Sequence, residues 1–330
     1  MTRAAGGVGG LDRRGFLHVA GSCAAHLALV GAAVPSAARR AWAATPRGRV
    51  VAAEPWGRLE QVHEGVWALV STPLTGDRTT LCNGGIVAGR DGVLLLEAFG
   101  SDAGAAWMAQ QARALTGRAP THVAVTHYHS DHTAGLRAAC APGEAGARAT
   151  LHTTAVTAAL VSTRNPGSPA DLLKDAVMLD PANGGTIDLG GRRVAITPLD
   201  GHTPSDVTVR VEETPVLFAG DLVWNGMFPN YVDAVPSRLT RSVRAVRAAG
   251  ARTIVPGHGA VATSADLDRY LALLDSVEAA ARAAVRDGIT AGKAGDAYRV
   301  PAALGEWVLF NPRYFERAIG AWMKELAPAP

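Results

Sequence analysis

Short apolar runs separated by turn residues dominate the first two thirds of this 330-residue chain. The runs at 66–70, 85–88 and 93–96 are rich in Val, Ile and Leu, and Asp91-Gly92 stands between the last two. Runs of four or five such residues bounded by turn formers are typical of β-strands. The pattern therefore predicts an early β-meander.

Strands and helices alternate farther along the chain. Apolar positions recur at helical intervals between Asp102 and Leu115, which predicts a helix, and an apolar run at 122–126 predicts the next strand. Further strands are predicted at 194–196, 207–211, 216–219 and 253–255, with a helix at 238–249 among them. This mixed order is typical of sheets covered by helices, so the predicted fold class is α+β.

The end of the chain has a different pattern. Amphipathic spacing predicts helices at 265–286 and 313–326, with Pro301 and Pro312 breaking the chain between them. This tail contains no His or Cys. We interpret it as a cover for the fold, with one wall of a substrate cleft as the alternative.

The first 43 residues have the composition of an export signal. Arg13-Arg14 precedes an apolar run at 19–34 and the small-residue segment Ala41-Trp42-Ala43. This order predicts a cleaved signal peptide over 1–43 that resembles a twin-arginine signal, and hence a periplasmic or secreted protein with no stable membrane span after cleavage. An uncleaved anchor and a lipoprotein at Cys23 are the disfavoured alternatives, since the run is short and continues beyond the cysteine.

Charge excludes one class of partner. The formal net charge of +3 arises in the leader, where five arginines stand against one acid, so the rest of the chain is close to neutral. A nucleic-acid surface would need clustered Lys and Arg on the folded domain, so we predict a small-molecule substrate and no nucleic acid. The sequence leaves the oligomeric state open. Export would permit a disulfide between Cys82 and Cys140, but two small buried side chains are the favoured interpretation.

Histidines are concentrated in three short segments, each just past a predicted strand. His127 and His129 alternate with Tyr128, which places both imidazoles on one side of an extended backbone, and Asp131 and His132 begin a turn into a predicted helix at 133–139. Single candidate ligands follow later strands at His202, Asp221 and His258. Nitrogen and carboxylate donors in this arrangement can hold two metal ions.

The spacing His-x-His-x-Asp-His, followed by single His, Asp and His residues, resembles the metallo-β-lactamase superfamily from about Gly65 to Ala260. The resemblance implies an αββα sandwich with C-terminal helices, divided as a 44–264 domain and a 265–330 helical extension packed on it. It implies that the first metal is bound by His127, His129 and His202, the second by Asp131, His132 and His258, and that Asp221 bridges both. Glu97 departs from the family, where many members carry Asp.

A two-metal site of this kind indicates hydrolysis. We expect an exported hydrolase with two zinc ions per chain, iron or manganese being alternatives, in which a metal-bridging hydroxide attacks an ester, thioester, lactone or amide carbonyl. Asp131 is the candidate catalytic residue that orients the nucleophile or shuttles its proton. β-Lactamase-type amide hydrolysis, a mononuclear iron persulfide dioxygenase and a non-catalytic metal-binding partner in an exported oxidation pathway remain alternatives.

The loop after Asp221 is the candidate substrate wall. Trp224 and Phe228 would supply an apolar surface, and Asn225 and Tyr231 polar groups facing the carbonyl. Packing of the aromatic rings against the sheet edge is an equal alternative.

Overall fold

The computed structural model describes residues 45–72, 77–143, 146–165, 167 and 169–327, and the predicted signal peptide at 1–43 lies outside them. The strands are β1 Arg49–Glu54, β2 Gly57–His63, β3 Val66–Ser71, β4 Gly84–Ala88, β5 Val93–Leu96, β6 His122–Ala124, β7 Thr150–Thr153, β8 Val177–Met178, β9 Gly185–Asp188, β10 Arg193–Leu199, β11 Asp206–Val211, β12 Val216–Asn225 and β13 Thr253–Gly259. The helices are α1 Asp102–Thr116, α2 Ser130–Thr133, α3 Leu136–Ala139, α4 Ala155–Arg164, α5 Ala170–Lys174, α6 Pro236–Ala248, α7 Ser264–Arg286, α8 Ala291–Ala297 and α9 Tyr314–Leu326, with a 3₁₀ turn at Ala302–Leu304.

Two sheets form the centre of the fold. The first has the strand order β1 to β8 in sequence, antiparallel up to β5 and parallel from β5 to β8. The second has the order β13-β12-β11-β10-β9 and is antiparallel except for the β12–β13 pair. Parallel neighbours need a crossover, which α1 supplies between β5 and β6 and α6 between β12 and β13.

The two-residue period of the strands divides the core into layers. On β3, Val66, Ala68 and Val70 pack between the two sheets, while Trp67 and Leu69 face the helices on the other side. Alternate side chains of a strand point to opposite faces, so one apolar strand contributes to two cores. The predicted αββα arrangement is confirmed.

The C-terminal helices cover the outer face of the second sheet. Leu217 of β12 and Ile254 of β13 share one buried core with Leu274 of α7 and Trp322 of α9. Burial of each such side chain stabilises the fold by about 1.5–3 kcal/mol. The core therefore continues across the predicted boundary at residue 264. Among the described residues, no helix combines the length and the apolar character needed to cross a bilayer.

Both ends of α1 follow capping chemistry. The side chain of Ser101 accepts a hydrogen bond from the N–H of Gly104 at the start of α1, and Gly117 ends that helix in the left-handed conformation.

The predicted helix at 133–139 is wrong as one element, because it is split into α2 and α3. Gly135 lies between them, and a Cβ there would stand 2.3 Å from the carbonyl oxygen of Ala98, which explains why the chain needs glycine at this point.

Acid sensitivity should arise in part from His152, whose Nε2 lies 3.1 Å from Nδ1 of His122. Burial, reinforced by His122, lowers the pKa of His152 to about 4. The unfolded chain, with a pKa of about 6.5, therefore binds this proton first as pH falls, and up to about 3 kcal/mol of stability is lost between those two pKa values. We expect His152→Gln to lose less stability than wild type between neutral pH and pH about 4.5, measured by urea unfolding. The control is His63→Gln at the surface, and parallel losses in wild type and His152→Gln would contradict the prediction.

Candidate metal centre

Strand ends bring the predicted ligands to one edge of the sandwich. His127 and His129 follow β6, His202 follows β10, and Asp221 and His258 lie within β12 and β13. The donor atoms form two groups, each with all atoms within 4.8 Å of one another: His127, His129, His202 and Asp221, and then Asp131, His132 and His258. All seven predicted residues are thus brought together. Their roles as ligands stay a prediction.

The first group has the spacing of a tetrahedral site. Nδ1 of His129 lies 3.0 Å from Nε2 of His127 and 3.1 Å from Nε2 of His202. Oδ2 of Asp221 lies 3.2 Å from Nε2 of His202 and 3.9 Å from Nε2 of His127. Ligands bound to zinc at about 2.0–2.1 Å in a tetrahedron stand about 3.3 Å apart, so these separations fit one ion.

The second group shares the Asp221 carboxylate with the first. Nε2 of His258 lies 3.3 Å from Oδ2 of Asp131, and Nε2 of His132 lies 3.6 Å from the same oxygen. Oδ1 of Asp221 lies 3.2 Å from Nε2 of His132 and 3.3 Å from Nε2 of His258. One oxygen of Asp221 therefore faces each group, as a bridging carboxylate must.

Hydrogen bonds on the far side of two imidazoles fix which nitrogen is unprotonated. Thr126 Oγ1 donates to Glu97 Oε1 at 2.6 Å, so it accepts from Nδ1–H of His127 at 3.0 Å. Nε2–H of His129 donates to Oδ2 of Asp233 at 3.0 Å. The remaining nitrogens, Nε2 of His127 and Nδ1 of His129, thus turn lone pairs toward each other. A cation between them removes that repulsion, so the residues fit a metal.

Buried polar atoms without a partner indicate that the second group also fits a metal. Nε2 of His132 and Oδ1 of Asp221 are buried and have no hydrogen-bond partner of good geometry among the described residues. Buried polar atoms without a partner are costly, and a metal ion satisfies both a nitrogen and a carboxylate lone pair.

The field at the centre favours positive charge. Burial alone would lower the pKa of His258, but Asp221 and Asp131 outweigh it and raise that pKa to about 9. The pKa of His132 is likewise raised well above its usual value against the effect of burial, by the carboxylates of Glu97, Asp221 and Asp131. Burial opposes ionisation of Asp221, yet His258, His132 and His202 hold its pKa well below the usual range. The carboxylates thus supply the negative charge that a cation needs.

Glu97 contacts residues next to and within the candidate ligand set. Its carboxylate accepts from the N–H and the hydroxyl of Thr126 and lies 3.2 Å from Nδ1 of His132. Its backbone is left-handed, with φ of 73°, a strained conformation for a non-glycine residue. Cys82 and Cys140 are both buried and are free cysteines in the described part of the chain. Cys82 also interacts with His132, and burial raises the pKa of its thiol to about 12.

Sequence reasoning missed Asp233. Its carboxylate accepts hydrogen bonds from His129, from the hydroxyl of Tyr128 and from Arg164. Burial opposes its ionisation, but these hydrogen bonds, led by that from His129, lower its pKa. Nothing in the Tyr231-Val232-Asp233 segment marks this residue, because its partner His129 lies 104 positions earlier in the chain.

Asp233→Asn should weaken metal binding at the first group. The neutral amide orients the His129 ring less firmly and leaves its other nitrogen a weaker metal ligand. We therefore expect metal affinity to fall by about 10- to 100-fold. Competition with a chromophoric chelator measures this. Asp171→Asn is the matched control, because Asp171 is an exposed carboxylate paired with Arg148. Equal affinities in wild type and Asp233→Asn would contradict the prediction.

The four predicted substrate residues lie in different surroundings. Trp224 packs on His258 with ring centroids 4.1 Å apart but is buried, and Asn225 donates to the carbonyl oxygen of Ala260 and lines a neighbouring cavity. Phe228 and Tyr231 are buried in the core of the C-terminal helices and do not form an open wall. The sequence predicts a loop directly after Asp221, whereas β12 continues through that residue to Asn225.

Comparisons with known proteins identify the family and the fold. The protein-family model described as the metallo-beta-lactamase superfamily matches residues 77–258. A metallo-beta-lactamase from Pontibacter korlensis is similar at 21% identity and a TM-score of 0.56, covering 66% of this chain and 99% of that one. One from Erythrobacter litoralis, with beta mercaptoethanol in its active site, has 22% identity and a TM-score of 0.56 over 68% and 98% of the two chains. One from Pseudomonas aeruginosa in a mono-zinc form has 20% identity and a TM-score of 0.54 over 66% and 95%.

Proposed function

Since this chain belongs to the metallo-β-lactamase superfamily and has its metal-dependent hydrolase fold, we propose that it is an exported dinuclear zinc enzyme that cleaves an ester, thioester, lactone or amide. The observation that carries the proposal is the position of Asp221 between two donor groups, with one carboxylate oxygen toward each. A pair of zinc ions there would supply an activated water and polarise the substrate carbonyl.

Asp131 is proposed to orient the attacking water and carry its proton. Its side chain is 27% exposed, whereas that of Asp221 is 3% exposed. A residue that exchanges a proton with substrate and solvent has to be reachable from both. His129 and Asp233 are also partly exposed at this edge, so a substrate would approach from the side of these three residues.

Zinc is the metal that the donor set favours. Imidazole nitrogens with carboxylate oxygens at tetrahedral spacing are typical of zinc sites, and the Pseudomonas aeruginosa structure is of a mono-zinc form. Metal analysis of the mature protein should give two zinc ions per chain, one for each donor group. Iron together with oxygen consumption would instead favour a persulfide dioxygenase.

A hydrolysis panel tests the reaction. Purified mature protein is assayed with aryl esters, thioesters, lactones and cephalosporins, before and after metal removal by a chelator and after zinc is restored. We expect at least one carbonyl class to be hydrolysed, activity to disappear with the metal, and zinc to restore it. Turnover that survives complete metal removal, or none on any class with both zinc ions bound, would sink the proposal.

Export is proposed from the leader alone. Arg13-Arg14 before an apolar run is the pattern that supports it. We expect the Arg13→Lys, Arg14→Lys double variant to accumulate in the cytoplasm of a bacterial host, while wild type reaches the periplasm or medium. Cell fractionation with immunodetection measures this, and unchanged export of the double variant would argue against the twin-arginine route.

A further inference from the structure

A segment of the C-terminal tail, residues 307–311, is fixed beside the metal centre. Val308 pairs with Met227 in an isolated β-bridge. The N–H of Phe228 donates to the carbonyl oxygen of Val308 at 2.9 Å, and the N–H of Val308 donates to that of Gly226 at 3.0 Å. These bonds attach the segment to the chain just after β12, the strand that carries Asp221.

Phe310 is thereby placed next to the second donor group. Its ring centroid lies 6.3 Å from that of His258 and 6.3 Å from that of Trp224, edge-on to both. Trp224 is buried behind His258, whereas Phe310 is only half-buried and the neighbouring Leu309 is 36% exposed. An apolar surface open to solvent therefore borders His258.

The tail continues into α9, whose first residue Tyr314 is buried in the core shared with the second sheet. His129, Asp131 and Asp233 are partly exposed polar side chains at the same centre. The tail thus adds an aromatic ring beside His258, whereas the earlier loops supply polar groups.

We propose that Phe310 forms an apolar subsite beside His258 and that the enzyme therefore prefers substrates with an apolar acyl group on the scissile carbonyl. This inference rests on the proposed hydrolytic function. A partly exposed aromatic ring beside a polar centre favours a ligand that is apolar on one side and carries its reactive group on the other.

The test compares p-nitrophenyl acetate, butyrate and hexanoate. Each methylene fully buried in the subsite is worth about fourfold in binding, so we expect wild type to prefer hexanoate over acetate in kcat/KM by about ten- to a hundredfold. Phe310→Ala should reduce that preference by about tenfold, while Phe310→Leu keeps most of it. Ile289→Ala, which truncates an exposed aliphatic side chain at the end of α7, is the matched control and should leave the preference unchanged.

A binding measurement separates this inference from the function on which it rests. Thiolates bind zinc directly, so benzyl mercaptan and 2-mercaptoethanol can be compared on zinc-loaded protein by calorimetry. We expect wild type to bind the benzyl thiol more tightly and Phe310→Ala to lose about tenfold of that difference. If no ester is cleaved but this discrimination holds, the hydrolase proposal fails and the subsite stands. If Phe310→Ala and Phe310→Leu both retain two zinc ions and the wild-type preferences, the subsite is wrong.

Discussion

Asp221→Ala should abolish catalysis and lower the metal content of the protein. The carboxylate faces both donor sets, at 3.2 Å from Nε2 of His202 and from Nε2 of His132. Its removal deletes a ligand of each proposed ion and takes away the carboxylate that lies against His132, His202 and His258. We expect kcat/KM to fall by at least about a thousandfold, which corresponds to roughly 4 kcal/mol of lost transition-state stabilisation. Steady-state assays with elemental analysis of the same sample measure both effects.

A buried carboxylate outside the centre provides the control. Glu60 is buried and bonds to Arg58 and to the backbone N–H groups of Arg47 and Gly48. Glu60→Gln should therefore keep both ions and wild-type kcat/KM, even if it loses stability. An Asp221→Ala protein with two bound ions and near wild-type turnover would show that the carboxylate does not bridge the metals.

Gly257→Ala should displace the carboxylate of Asp221. A Cβ at this position would stand 1.9 Å from Oδ1 of Asp221 and 2.8 Å from its backbone nitrogen. Neither atom can yield cheaply, because the oxygen belongs to the proposed bridge and the nitrogen to β12. We expect Asp221 to be displaced by about 1 Å and kcat/KM to fall by about a hundredfold, with weaker metal binding. Kinetics at saturating zinc, together with chelator competition, distinguish misplacement from simple metal loss.

A second glycine-to-alanine change serves as the control for that variant. Gly292 lies in α8, and a Cβ there would meet nothing within 4 Å. Gly292→Ala should retain activity and gain about 0.5–1 kcal/mol of stability, as alanine does in a helix. If Gly257→Ala were as active as Gly292→Ala, the close approach of residue 257 to the carboxylate would have no functional consequence.

The ligand set was accessible from the sequence because metal chemistry restricts residue types. His and Asp are common zinc ligands, so three His and one Asp within six residues indicate metal binding. Each later candidate follows or lies in an apolar strand. The tertiary structure brings the seven together in the predicted grouping. Layer assignment was accessible for a similar reason, since the alternation along β3 divides its side chains between two cores.

Elements with a weak apolar period were not predicted. β1 and β2 carry arginines and acids among their residues, and their strand form depends on pairing with each other and with β3. α2 and α3 were predicted as one helix, because local spacing does not reveal that Gly135 lies against the carbonyl oxygen of Ala98. In both cases a contact made elsewhere in the fold decides the local structure.

The sequence by itself predicted which residues make up the candidate centre, since donor type and strand period are properties of neighbouring residues. Only the tertiary structure decided what surrounds the centre. Asp233 holds His129 across 104 positions, Phe310 reaches His258 from the C-terminal tail, and Phe228 is covered by α7 to α9 and lies in the core. These contacts join residues far apart in the chain. Their partners are selected by packing, which leaves no periodic signal in either segment alone.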